Sequence, residues 1–294
     1  MRSHLTLVLL LVAATALLSG CVQNGSPHEE GFLVNDSGVA SIRCPSCNPV
    51  EEVTEENPGY SLSRIVFQNP RGDVYAILAM PEKPVAGFVL APGAGVRKEG
   101  HEGRAAGYAR EGYAYLVLDM RGNGGETTGE PLNLDRDYQR FSRGEWPQYY
   151  LSVCDMMCAA SYLSGTCNIP VYLVGESNGG RYAAIAAALD PGCAGFVGVS
   201  TSGFGGAGER YTGNLRRFLL SVDPETYGGL MEGRRSWIFH SPDDPIIPFA
   251  QGIALEQSLS GEAEFIAFNG THGSNEEVDA RIRWECAQIY GIQG

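Results

Sequence analysis

The chain has little positive charge and little histidine. Its 294 residues carry 21 lysines and arginines against 34 aspartates and glutamates, a net charge of −13, and five histidines. Such an excess of carboxylates repels phosphate, which excludes a nucleic-acid partner. Few histidines leave few candidates for a base near neutral pH. Past residue 18 no apolar run is long enough to cross a bilayer. There is no internal repeat. The one CxxC, Cys44 to Cys47, lacks the second CxxC of a zinc ribbon and precedes any strand–helix unit, so a disulfide or plain thiols are expected there. What is present, 44% hydrophobic and 19% charged residues, suits an ordinary globular protein with a buried core.

The N-terminus reads Arg2, then an apolar run from Leu5 to Leu18, then Leu-Ser-Gly-Cys ending at Cys21. That run fits a signal-peptide h-region and is short for a span. The last four residues resemble the lipobox of prokaryotic lipoproteins, which implies lipidation of Cys21, a membrane anchor and an extracytoplasmic location. An ordinary secretory signal would instead release a soluble protein. Residues 1–21 are therefore expected as the signal and 22–58, polar and containing EEVTEENPG, as a flexible tether. Apart from Cys21, seven cysteines remain, an odd number. Cys154 and Cys158 share one helical face, consistent with packing or bridging. Cys167 and Cys193 precede neighbouring strands at the same edge of the sheet, so a bridge between them is one possible pairing, with free thiols the other.

From residue 59 to 294 short β-rich runs alternate with helical stretches, the pattern of a mostly parallel sheet covered on both faces. Strands are expected near 62–68, 73–80, 86–91, 114–119, 170–175, 194–200, 235–240 and 263–268. Helices are expected near 99–111, 148–164, 178–189, 249–260 and 275–290. The first two strands turn at Pro70-Arg71-Gly72-Asp73 as a hairpin. AGFVLAP, AYLVLDM and VYLVGE are almost continuously apolar, as strands buried on both faces must be.

The stretch VGESNGGRYAA holds Ser177 between Gly175, Gly179 and Gly180, after a buried strand and at the start of a helix. A serine at so tight a turn has an exposed Oγ on a strained backbone, and the glycines let helix and strand approach closely. A hydroxyl becomes a useful nucleophile only with a base, and the base with a carboxylate that fixes its tautomer. His4 and His28 lie in the leader and tether, His101 near the first long helix, and His240 at a strand end. His272, in the loop after the last strand, is the expected base. Asp244, in the rigid SPDDPIIP turn, is the expected acid, with Asp243 holding the loop.

Residues 60–290, with chain order Ser177, Asp244, His272, resemble the α/β-hydrolase superfamily. The stretch LAPGAGVRKEGHEGRAAGYAREGYAYLVLDMRGNGGETTG is similar to its dienelactone-hydrolase-like and serine-aminopeptidase-like members. The resemblance implies an α/β-hydrolase fold, with a mostly parallel eight-stranded sheet, helices on both faces and a small cap. It also implies an oxyanion hole from the backbone N–H groups of Ala94 and Asn178; where relatives often carry His-Gly before the first donor, this chain has Pro92-Gly93. Asp119 is expected to be structural, and Arg181 to pair or pack. No cofactor and no metal are implied.

Two excursions, 123–147 and 203–234, are expected to form the cap, with Phe204, Tyr211, Phe218 and Trp146 as candidate pocket residues. The expected activity is hydrolysis of a small ester through an acyl-enzyme on Ser177. The alternatives are a serine peptidase of the aminopeptidase or dipeptidyl-peptidase type acting on short peptides, and a non-catalytic, surface-tethered binding lipoprotein on the same scaffold.

Overall fold

The computed structural model describes residues 30–291. The signal-peptide and Cys21 expectations lie outside the described residues. Strands β1 (Gly31–Val34), β2 (Ala40–Arg43), β3 (Asn48–Asn57), β4 (Tyr60–Gln68), β5 (Val74–Pro81) and β6 (Ala86–Ala91) come first. Then follow α1 (Glu102–Arg110), β7 (Tyr113–Leu118), α2 (Leu134–Ser142), α3 (Gln148–Cys167), β8 (Val171–Glu176) and α4 (Asn178–Leu189). The chain continues through β9 (Gly195–Val199), α5 (Gly213–Ser221), β10 (Arg235–His240), α6 (Phe249–Ser258), β11 (Glu262–Ala267) and α7 (Glu276–Tyr290).

All eight expected strands are present, in a nine-stranded sheet of order β11-β10-β9-β8-β6-β7-β5-β4-β3. β6 through β11 pair in parallel, and β3, β4 and β5 add on antiparallel beside β7. In β6, Val89 and Ala91 join the core that includes α3 and α4, while Phe88 and Leu90 join the core that includes α1 and α7. With both faces covered, every residue of that strand is buried, and the two-residue alternation leaves no polar trace in the sequence.

The ninth strand corrects the tether. Residues 31–57 carry the β1–β2 hairpin and the edge strand β3. β3 is exposed along almost its whole length, so its glutamates stay in water while its backbone completes the ladder on β4. Exposed charge on an edge strand discourages further pairing. Phe32 of the hairpin packs against Phe141, Trp146 and Tyr150, and two disulfides, Cys44–Cys154 and Cys47–Cys158, staple the segment to α3. Closing loops of 110 and 111 residues restricts the unfolded chain, and one such loop is worth about 4–5 kcal/mol in the chain-entropy account.

The Cys167–Cys193 bridge does not form; both are free thiols. Cys167 ends α3 with its sulfur toward Met80, whereas Cys193 is buried with its sulfur toward the carbonyl of Gly195. Neighbouring strands start beside one another, but these two thiols project into different surroundings.

Candidate active site

β8 ends at Glu176 and α4 begins at Asn178, leaving Ser177 alone to make the turn. Its φ of 51° and ψ of −120° lie where a side chain is rarely tolerated. The neighbours hold it there. Its N–H donates to the carbonyl of Val199 at 2.9 Å, and its carbonyl accepts from Thr201 Oγ1 at 2.7 Å. A Cβ on Gly175 would sit 2.4 Å from Gly180 Cα, and one on Gly179 would sit 2.1 Å from the Ala91 carbonyl oxygen. The small residues around the serine therefore make room for the turn, as the sequence implied.

Asp244 and His272 arrive from two further strand ends. After β10, Asp244 Oδ1 accepts from the amides of Ile246 and Ile247 at 2.8 and 3.0 Å. His272 Nδ1 lies 2.8 Å from Asp244 Oδ2. Burial disfavours the Asp244 charge, but the amides of Ile247 and Ile246 and the His272 ring outweigh it and hold the carboxyl below its ordinary value. Asp243 is exposed, its N–H bonded to Ser241 Oγ. The His272 loop is pinned on both sides: Gly273 N–H donates to Ser200 Oγ at 3.0 Å, and Ser241 Oγ donates to the Gly270 carbonyl at 2.6 Å. His240, fully buried, lies 3.4 Å from Asp244 Oδ2 and 3.0 Å from the Ile247 carbonyl.

Ser177, His272, Gly93 and Ala94 line one cavity of about 650 Å³. Among the described residues the His272 ring hydrogen-bonds only Asp244; hydroxyl and imidazole face the shared space, and such contacts commonly tighten when substrate binds. Neither the Ala94 nor the Asn178 N–H donates to another described group. Sequence reasoning missed the clamp on this loop. Asn123 Nδ2 donates to the carbonyls of Gly93 and Val96 at 2.9 and 2.8 Å, and its Oδ1 accepts from the Gly95 N–H at 3.2 Å. The only sequence signal was its place, four residues after Asp119 in the loop that follows β7.

No family model and no curated protein matches this chain. Solved structures do. An acetyl xylan esterase from Paenibacillus sp. R4 is 16% identical with a TM-score of 0.68 over 83% of this chain and 89% of its own. Acetyl xylan esterase 1 from Thermoanaerobacterium sp. JW/SL YS485 is 15% identical with a TM-score of 0.67, over 84% and 88%. Est1E from Butyrivibrio proteoclasticus, in a structure with ferulic acid bound, is 14% identical with a TM-score of 0.60, over 78% and 99%. The fold is that of the α/β-hydrolases.

On this hydrolase scaffold the cap expectation needs correction at the pocket. Residues 123–147 and 203–234 do carry α2, α5 and short 3₁₀ turns, yet none of them is among the pocket-lining residues. Phe218 is buried against Tyr138 and Phe141, Trp146 packs on Phe32, Phe204 lies under Arg181, and Tyr211 is exposed. Arg181 also donates to Ser202. The pocket wall comes instead from α1 and the turn before it, the end of β8, the His272 loop and α7, through His101, Arg104, Glu176, Ser274 and Asp279. Arg104 donates from Nε to Asp279 at 2.8 Å and from Nη1 to Glu176. Burial disfavours the Glu176 charge, yet Arg104, His101 and Ser274 together hold its carboxyl below the usual range. Asp119, as expected, is structural: it accepts from the Thr127 N–H and lies 3.8 Å from the buried Lys98 ammonium.

Proposed function

We propose that this chain is a serine hydrolase of small carboxylic esters, with Ser177 as nucleophile, His272 as base and Asp244 as its orienting acid. The observation that carries the reading is convergence: a strained serine, and an imidazole hydrogen-bonded to a buried carboxylate, open on one cavity. Ser177 Oγ attacks the ester carbonyl as His272 Nε2 takes its proton, while the Nδ1–H stays directed at Asp244. The carbonyl oxygen, now negative, accepts hydrogen bonds from the backbone amides of Ala94 and Asn178, donors fixed in the fold before substrate arrives. The same ring then protonates the departing alcohol, and water releases the acid by the reverse sequence. Acetyl xylan esterases among the structural neighbours support an ester over an amide substrate.

The proposal extends to location: an extracytoplasmic protein, which two disulfides in the described part support, since such bonds persist in oxidising compartments, and one held at the membrane through a lipid on Cys21, which rests on the sequence around that cysteine alone. Detergent-phase partitioning lost in Cys21→Ala would bear this out, and unchanged partitioning would refute it.

Ser177→Ala is expected to cut turnover of p-nitrophenyl acetate by roughly 10⁴-fold or more, because the members of such a unit fail together. A fluorophosphonate probe should label the parent protein at Ser177. Full hydrolysis by the variant rules the mechanism out.

A further inference from the structure

His101 is a pocket residue the proposed chemistry does not use. Its ring lines the cavity that holds Ser177 and His272, and its side chain is 12% exposed. Its Nε2 is enclosed, lies 3.9 Å from Glu176 Oε2 and has no hydrogen-bond partner among the described residues. Nδ1 makes no hydrogen bond there either. Burial pushes the imidazole below its usual value, against the pull of Glu176, so the ring is neutral at pH 7 and carries one proton. The carboxylate beside Nε2 favours that proton on Nε2, which leaves Nδ1 with a lone pair and no described donor.

The wall around this lone pair is acidic. Glu176 and Asp279 share the single guanidinium of Arg104, and Glu276 stands at the rim. An acidic wall repels an anionic substrate. A cation would have to compete with Arg104, which already engages Glu176 and Asp279. A neutral hydrogen-bond donor fits without either penalty, and a hydroxyl is the simplest one. The location fixes the half of the substrate concerned. The departing alcohol must sit against His272, which gives it a proton, and residues 273–276 and 279 after His272 line the same space.

We propose that His101 is a specificity-determining residue whose imidazole accepts a hydrogen bond from a hydroxyl on the alcohol half of the ester, so that the enzyme acts on partial esters of polyols. The inference rests on the hydrolase reading above. It is tested by kcat/KM for 2-hydroxyethyl acetate, propyl acetate, 2-(dimethylamino)ethyl acetate and acetoxyacetate. The parent protein should favour the hydroxylated ester over propyl acetate by roughly tenfold, the scale of one net hydrogen bond, and should use acetoxyacetate worst.

In His101→Phe the hydroxyethyl-to-propyl ratio should fall to near one, and in His101→Gln, whose amide oxygen can accept, it should recover in part. A ratio cancels any effect common to both esters, and fluorophosphonate titration counts folded active sites. An unchanged ratio in His101→Phe, or a parent preference for the propyl or the amine ester, overturns the subsite while leaving the hydrolase reading intact. Inactivity on all four esters together with no fluorophosphonate labelling overturns both.

Discussion

Two buried arginines reach into opposite faces of the sheet and end in different situations. Arg121, just past β7, donates to both oxygens of Asp155 on α3 and to the carbonyls of Arg71 and Gly72. These partners tie β7, the Arg71–Gly72 turn and α3 together, and the group sits next to Cys154, one anchor of the disulfide staples. Arg104, on α1, is divided between Glu176 and Asp279 beside an open cavity and an imidazole whose nitrogens lack hydrogen bonds among the described residues. The first cluster spends its hydrogen-bonding capacity on the fold; the second keeps some facing the cavity. Buried charge alone does not mark a site. Capacity left over at a cavity does.

The contrast can be broken in three ways. Arg121→Met leaves Asp155 without its partner and should cost about 3–5 kcal/mol of stability in denaturant unfolding, with kcat per titrated active site unchanged. Arg104→Met should also destabilise, but in addition should shift alcohol preference toward the amine ester, since two carboxylates then lose the guanidinium they share. Equal substrate profiles for the two variants would erase the distinction. Next in size, Asn123→Ala frees the loop bearing Gly93 and Ala94, and kcat should fall by roughly 10- to 100-fold, the effect of misplacing a catalytic group by about an ångström, with little change in Tm. A kcat equal to the parent's would mean that the loop keeps its shape without the clamp.

The smallest effect concerns pH. The Glu176 carboxyl is held below its ordinary value, so its contribution to stability is present above the unfolded value of about 4.3 and is lost as pH falls through the folded one. The Asp155 carboxyl is pushed up, by burial against the pull of Arg121, so its sign is opposite: its protonated form is favoured by folding, and stability is lost as pH rises through the acid range. Melting curves from pH 3 to 6 should therefore show a shallower acid decline for Glu176→Gln and a steeper one for Asp155→Asn. Parallel shifts in both variants would contradict the assigned directions.

Legibility in the sequence followed burial. β6, β7 and β8 were readable because each is buried on both faces and so is written in apolar residues. β3 was not, because an exposed edge strand of glutamates has the composition of a linker. Ser177 was readable because its turn demands glycines at fixed offsets. Asp244 and His272 were readable because each follows a strand whose end is known. Asn123, Arg104 and Glu176 were missed: each acts through a partner between 27 and 175 residues away, and no local pattern records such a partner.

From the sequence alone came the positions of the parallel strands along the chain, the tight turn at Ser177 and the chain order Ser177, Asp244, His272, since local apolar periodicity and turn chemistry specify these. Tertiary structure alone decided that Cys44 and Cys47 pair with Cys154 and Cys158, that the N-terminal segment joins the sheet, and that His101 shares a cavity with Ser177. Those outcomes depend on which distant surfaces meet when the core closes, and burial of the whole chain, not any one segment, determines that.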